Sequence, residues 1–272
     1  MDGKSIARRM LAEMKKSVDA MVRRPRLAIV SVGANPVIER FVAQKKRAAE
    51  EIGIAVRIYT FEKEILEDKL YRSIARIQSD KTNTGVIIQL PLPRHLDTQR
   101  ILDAVDPAKD IDLLSSRAIG AFASGQSAIL PPVVGAIRTI LAAYRIKLKG
   151  KKIAVLGAGR LVGMPLALWL QTQGATFSVI QKGAGDIARH TKDADILISG
   201  VGKPGIVTAR LVKKGAILLD AGTSEIRGKI AGDIDTESVR GSAAYLAPVP
   251  GGIGPLTVCM VLKNLLMLSE KQ

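Results

Sequence analysis

Two spacings of apolar residues alternate along the chain. Strand-like segments occur at 26–32, 55–61 and 85–90, and helical periodicity fills 5–22, 37–52 and 67–80. The second half repeats the alternation, with strands expected at 152–156, 176–180, 195–199, 216–220 and 244–246. Runs such as Ile196-Leu197-Ile198 and Ala216-Ile217-Leu218-Leu219 have no polar face, which suits central parallel strands covered on both sides. Pro131-Pro132 opens a helix expected over 133–144, and a last helix follows Pro255 with Leu256, Met260, Leu262, Leu265 and Leu266. Strands that alternate with helices predict an α/β protein. No fixed-period repeat and no low-complexity tract interrupts the pattern.

The strand at 152–156 runs directly into Gly157-Ala158-Gly159-Arg160-Leu161-Val162-Gly163, and a helix follows over 165–170. Glycines there allow a tight turn and a close backbone approach to a pyrophosphate, which the helix N-terminus attracts. The spacing is GxGxxxG, and an ordinary strand–helix turn is the competing reading. Where the next strand ends, an NAD site usually carries an acid for the ribose hydroxyls. Here Gln181-Lys182 stands instead, with Arg160 in the glycine loop. A cation suits a 2′-phosphate, so the residues lean to NADP, with NAD the other candidate; chance placement of Lys182 in a basic chain competes.

Ile38, Phe41, Ala48 and Ile52 share one face of the helix over 37–52, and Lys45 falls on that face. A lysine among apolar neighbours loses solvation, and its pKa falls. Such an amine can act as a general base or proton shuttle; snorkelling at the edge of the stripe is the alternative. Gln89 closes the run Val86-Ile87-Ile88, at the strand end where open α/β sheets bind ligands, or it caps the following loop. Asp106, Asp110 and Asp112 lie close together and read as ordinary turn and capping acids; metal binding is the less favoured alternative, since no histidine is near and the spacing is not that of an EF-hand. His95 and His190 have no Ser or Cys partner that suggests a triad.

Composition changes this picture in one respect. The formal net charge is +16, which fits a solvated surface, the attraction of small anions, or nucleic acid. Aromatic residues make up only 3%, so stacking platforms for single strands are scarce and nucleic acid is the least favoured of the three. The single cysteine, Cys259, lies in an apolar run and reads as a buried hydrophobe. No apolar run is long enough to cross a bilayer, and no signal peptide opens the chain, so a cytoplasmic protein is expected.

These segments together resemble the bifunctional methylenetetrahydrofolate dehydrogenase/methenyltetrahydrofolate cyclohydrolase family. The likeness covers nearly the whole chain and is carried by Asp2-Gly3-Lys4-Ser5, Val32-Gly33-Ala34-Asn35-Pro36, Phe41 through Lys45, Gln89-Leu90-Pro91-Leu92-Pro93, Lys109-Asp110-Ile111-Asp112, Val201-Gly202-Lys203-Pro204-Gly205 and Pro248 through Thr257. The resemblance implies a catalytic folate-binding domain over 1–115, completed by 253–272, and a Rossmann NAD(P) domain over 116–252. It implies oxidation of 5,10-methylenetetrahydrofolate with NAD(P)⁺ and hydrolysis of the methenyl product to 10-formyltetrahydrofolate, usually in a homodimer and often on polyglutamylated folate. Lys45 falls on the family's catalytic lysine, Gln89 on the glutamine that holds it, and Asp112 on the acid that anchors the pterin. Phe41, Pro250, Gly251 and Gly252 match substrate-lining positions, and Gly157, Ala158, Gly159 and Thr223 match cofactor contacts. The alternative is a folate- or nucleic-acid-binding relative that has lost one or both activities.

The chain departs from the family pattern at six places. Phe41 stands where tyrosine is usual, Ile38 for serine, and Leu113 for the glycine after the pterin-binding acid. Leu130-Pro131-Pro132-Val133 replaces Pro-Cys-Thr-Pro, Gly157-Ala158-Gly159 replaces Gly-Arg-Ser, and Gln181-Lys182 replaces His-Ser.

Overall fold

A computed structural model describes residues 1–226 and 229–270, the side chain of Val37 excepted. The chain divides into two compact units. One comprises Arg8–Pro132 together with the chain from Val258 onward; the other comprises Met1–Ala7 and Val133–Thr257.

The first unit is built from most of α1 (Gly3–Asp19), β1 (Arg26–Val32), α2 (Pro36–Glu51), β2 (Ala55–Phe61), α3 (Glu67–Ser79), β3 (Gly85–Ile88), α4 (Thr98–Asp103), α5 (Ser116–Ala123) and the last helix from Val258 onward. Its three-stranded parallel sheet has the order β2-β1-β3, with Arg26 opposite Ala55 and Leu27 opposite Gly85. β1 and β3 are buried almost throughout, as their apolar runs require, whereas β2 is an edge strand with several exposed positions. Gly85 is needed for packing: a Cβ there would lie 2.6 Å from Ile111 and 2.7 Å from Leu265. The segment after Lys109 runs parallel to β3, with Val86 N–H donating to Lys109 O and Asp110 opposite Val86.

The second unit takes the start of α1 and resumes with α6 (Pro132–Ala143). It continues through β4 (Lys152–Leu156), α7 (Gly163–Thr172), β5 (Thr176–Ile180), α8 (Ala188–Thr191), β6 (Ile196–Ser199), β7 (Ala216–Asp220), the hairpin β8 (Ser224–Ile226) and β9 (Lys229–Ala231), α9 (Thr236–Val239), β10 (Ala243–Ala247) and the start of α10 (Ile253–Ser269). The main sheet is all parallel, with order β10-β7-β6-β4-β5. β4 comes first in the chain and has β5 on one side and β6 on the other. The winding therefore reverses at β4, and the carboxyl ends of β4 and β6 bound the crevice where such sheets bind dinucleotides.

The periodic readings meet the structure with small shifts. β3 stops at Ile88, two residues short of the expected end. The last helix starts at Ile253 and not after Pro255, because a proline in the first turn lacks only an N–H that would have no helical partner. The α/β class and the buried parallel strands are as expected.

Candidate functional site

α2 carries Ile38, Val42 and Ala49 inward, all buried, as is Ile52 just past its end, with Phe41, Lys45 and Ala48 half-buried along one margin of that stripe. Lys45 thus lies where the helix pattern placed it, one turn after Phe41. Its amine donates to Gln89 Oε1 at 2.9 Å. Gln89 is buried and held at two further points. Its backbone N–H donates to Val30 O at 2.8 Å, and its side-chain Nε2 donates to Leu90 O at 2.9 Å. The glutamine therefore aims one oxygen at the lysine from a fixed strand end. Leu90–Pro91 is cis.

Asp112 lies in the turn that follows Asp110, which bridges Val86 of β3, and it is close enough to Lys45 for each charge to act on the other. Burial is the first influence on both charges. It lowers the Lys45 pKa, with Asp112 opposing, and it raises the Asp112 pKa, with Lys45 opposing and Asp110 reinforcing. Both groups are driven toward their neutral forms by loss of water, and their mutual attraction only partly offsets this. An amine with lowered proton affinity beside a carboxyl with raised affinity can exchange protons with a reacting molecule.

Asp110 has a different task. Its Oδ2 accepts from Leu114 N–H at 3.0 Å and Ser115 N–H at 2.8 Å, and it is 4% exposed. It organises the loop that carries Asp112. Asp106 accepts from Ala108 N–H in an ordinary turn. Asn264 of α10, which the sequence pattern did not single out, is fully buried and donates to Ile111 O and Leu130 O, both at 2.8 Å. It fixes the backbone on the N-terminal side of Asp112 from 153 residues away, and an asparagine in a leucine-rich helix was the available signal. Leu113 is 2% exposed and has φ 54°, the left-handed conformation that a glycine would adopt without strain.

In the second unit, Gly157 has φ 90°, and its N–H donates to Ile180 O at 2.8 Å. A Cβ on Gly163 would lie 1.8 Å from Gly157 O, so α7 can start against the turn only through a glycine. Ala158 and Gly159 are exposed, with open space where a Gly159 side chain would lie, and Arg160 is half-buried. The open face at Gly159, beside the N-terminus of α7, fits a dinucleotide pyrophosphate. Lys182 is exposed in the turn after β5, and Thr223 is exposed between β7 and β8. Pro250, Gly251 and Gly252 form a turn in this unit. Val249–Pro250 is cis, Gly251 has φ 106°, Gly252 N–H donates to Pro248 O at 2.8 Å, and Gly251 O accepts from Lys4 N–H at 3.0 Å.

The other sequence candidates lie apart from these groups. His95 Nε2 is 3.1 Å from Ile65 O, and His190 is exposed. Lys147, Lys149, Lys151 and Lys152 are all exposed. Cys259 is buried, and burial pushes its thiol up to about 12. Among the described residues no cluster of three His, Cys, Asp or Glu side chains could hold a metal ion, and no helix is long and apolar enough to cross a membrane.

Comparison with known proteins gives these units an assignment. Residues 1–112 match the family model of the tetrahydrofolate dehydrogenase/cyclohydrolase catalytic domain, and residues 131–272 match that of its NAD(P)-binding domain. The bifunctional protein FolD of Hydrogenobaculum sp. (strain Y04AAS1) is 38% identical over 98% of this chain and 96% of its own. Among solved structures, the FolD methylenetetrahydrofolate dehydrogenase/cyclohydrolase of Campylobacter jejuni superposes with a TM-score of 0.94 at 33% identity, covering 99% of this chain and 98% of that one. The Trypanosoma brucei enzyme, complexed with NADP cofactor and inhibitor, gives a TM-score of 0.94 at 30% identity, covering 100% of this chain and 97% of that one. The chain belongs to the tetrahydrofolate dehydrogenase/cyclohydrolase family, with a catalytic domain followed by an NAD(P)-binding domain.

Proposed function

We propose that this protein oxidises 5,10-methylenetetrahydrofolate with NADP⁺, NAD⁺ being the other candidate, and hydrolyses the methenyl product to 10-formyltetrahydrofolate. The observation that carries the reading is the Lys45–Gln89 hydrogen bond, with Asp112 beside it, in a chain of this family. A bound nicotinamide supplies the hydride acceptor. The product of that step is a cation stabilised by two nitrogens, so the protein contributes orientation more than a strong base. Phe41 offers a ring face for the folate, and Asp112 accepts hydrogen bonds from the pterin. In hydrolysis, the Lys45 amine takes a proton from the water whose oxygen bonds to the methenyl carbon and returns one to the nitrogen as its bond to that carbon breaks. Gln89 Oε1 keeps that amine aimed.

The cofactor contacts in this reading are Gly157, Ala158, Gly159, Arg160, Lys182 and Thr223, with Pro250, Gly251 and Gly252 lining the substrate. The net charge of +16 favours an anionic, polyglutamylated folate. A cytoplasmic homodimer follows from the same family likeness.

The test is purified protein with methylenetetrahydrofolate and each cofactor, monitored for methenyl product and then for its hydrolysis. Turnover is expected with NADP⁺ or NAD⁺, and its absence with both would sink the proposal. Lys45→Met should reduce hydrolysis by ~10²–10⁴-fold, the usual contribution of a positioned acid–base group, and spare hydride transfer more. Equal losses would argue against the proton-transfer role.

A further inference from the structure

The proposed function leaves two fully buried acids unused, Asp220 and Asp233, both 0% exposed. Asp220 ends β7, and Asp233 follows the β8–β9 hairpin. Neither meets a lysine or arginine in an ion pair among the described residues. Asp233 instead collects donors from the segment that leaves β6. Its Oδ2 accepts from Ser199 Oγ at 2.7 Å, Val201 N–H at 2.7 Å and Gly202 N–H at 3.3 Å, and its Oδ1 accepts from Lys203 N–H at 2.8 Å. One carboxylate thereby fixes three consecutive backbone N–H groups and one hydroxyl.

Asp220 fixes Asp233 in turn. Its Oδ1 accepts from the N–H groups of Gly222 and Asp233, and its Oδ2 accepts from Ile234 N–H. The fit leaves no room for side chains nearby. A Cβ on Gly222 would lie 2.1 Å from Asp233 Cγ, and one on Gly232 would lie 2.1 Å from Asp220 Oδ2. Ser224 adds an outer tie, donating to Gly202 O at 2.8 Å.

The segment held in this way is one wall of the dinucleotide crevice. It emerges from β6, and the Gly157 turn emerges from β4; these are the two strands that bound the switch point. The walls touch: a Cβ on Gly157 would lie 3.1 Å from Gly200 O, and one on Gly200 would lie 2.3 Å from Val162. Three exposed apolar side chains, Leu161, Met164 and Val201, sit on these two segments. Exposed apolar groups beside an open glycine turn suit the flat faces of a dinucleotide.

We propose that Asp233 is a positioning residue for the dinucleotide: its carboxylate, locked by Asp220, shapes the 200–203 wall of the crevice. Without the carboxylate, the N–H groups of Val201, Gly202 and Lys203 lose their charged acceptor, and the segment must rearrange to satisfy them. The cost falls on cofactor binding, whereas the Lys45 site, in the other unit, keeps its own hydrogen bonds. This inference rests on the dinucleotide reading of the Gly157 turn.

The test measures NADPH affinity by fluorescence titration, NADP⁺ KM and kcat, cofactor-free hydrolysis of methenyltetrahydrofolate, and amide exchange at 201–203. Asp233→Asn should raise the NADPH Kd and the NADP⁺ KM by about ten- to hundredfold, the range for losing hydrogen bonds to a charged acceptor. Hydrolysis should stay within about twofold, and the 201–203 amides should exchange faster. Ser199→Ala, which removes one of the four donors to that charged acceptor and leaves the acids intact, should weaken NADPH less, by about two- to fivefold. It serves as the test should Asp233→Asn not fold. Wild-type affinity in Asp233→Asn, or in Ser199→Ala if only that variant folds, overturns the proposal alone. A wild-type protein that binds neither NADPH nor NADH removes the dinucleotide reading together with it.

Discussion

The Lys45 amine donates to Gln89 Oε1 at 2.9 Å, joining the third turn of α2 to the residue that leaves β3. Forty-four positions separate the two in the chain. The bond holds a half-buried amine, whose proton affinity burial has lowered, at the carboxyl end of a sheet. Gln89 is the neutral member of the pair, so a charge can be introduced or an acceptor removed there without replacing the lysine itself.

That freedom gives a pH prediction. If neutral Lys45 is the form active in hydrolysis, the rate rises with pH as the ammonium deprotonates. Gln89→Glu puts a negative charge beside the amine and favours the ammonium, so the rising limb should move to higher pH. Gln89→Leu removes an acceptor from the ammonium, so the limb should move to lower pH. Hydrolysis rates measured across pH for the two variants decide the matter; shifts in the same direction would exclude Lys45 as the titrating group.

Phe41 stands one turn before Lys45 and lacks a hydroxyl that the family usually has there. Phe41→Tyr should speed hydrolysis by about fivefold, the effect of one hydrogen bond of about 1 kcal/mol. The comparison is kcat for methenyltetrahydrofolate in the two proteins. An unchanged kcat would show that this active site works without the hydroxyl.

Leu113 sets backbone strain against packing. Its left-handed backbone, φ 54°, costs roughly 1–2 kcal/mol in any residue with a Cβ. Its side chain is 2% exposed, and truncating a buried leucine costs about 2–5 kcal/mol. Packing outweighs strain, so Leu113→Gly should destabilise the protein by about 1–3 kcal/mol, although it restores the family's residue. Urea denaturation measures this. A more stable variant would mean that the strain exceeds the packing.

Asp220 supplies a linkage prediction. Burial raises its pKa from an ordinary 3.8 to about 6, and the neighbouring Asp233 charge adds to this against three backbone hydrogen bonds. The folded protein therefore keeps a proton that the unfolded chain has released between pH 3.8 and 6. Stability from this group falls as pH rises through that window, by about 3 kcal/mol in total. Asp220→Asn, which cannot ionise, should show a fixed offset and lack this fall. The stability difference between wild type and variant, followed from about pH 4 to about pH 7.5, should shrink or reverse by that amount if the variant is the less stable at the acid end. A pH-independent difference would rule out the raised pKa.

Part of this protein was legible before any folding. The apolar spacings in α2, β1, β3, β4 and β6 are properties of consecutive residues, and they placed the elements to within a few positions. The same spacing put Lys45 on an apolar margin, and the Gly157 turn announced itself by following a strand and preceding a helix. Short elements escaped. α4, α8 and α9 are too brief to show a 3.6-residue period, and β8 and β9 lie at the surface, where no buried face enforces alternation. The meetings of distant residues also lay beyond the sequence pattern. Asp112 and Lys45 act on each other's charge from separate elements, Asn264 reaches Ile111 across 153 positions, and Asp233 reaches back past 30 residues to Lys203. Periodicity records which face of an element is dry; only the packed fold decides which buried polar groups share that dry space and must satisfy one another.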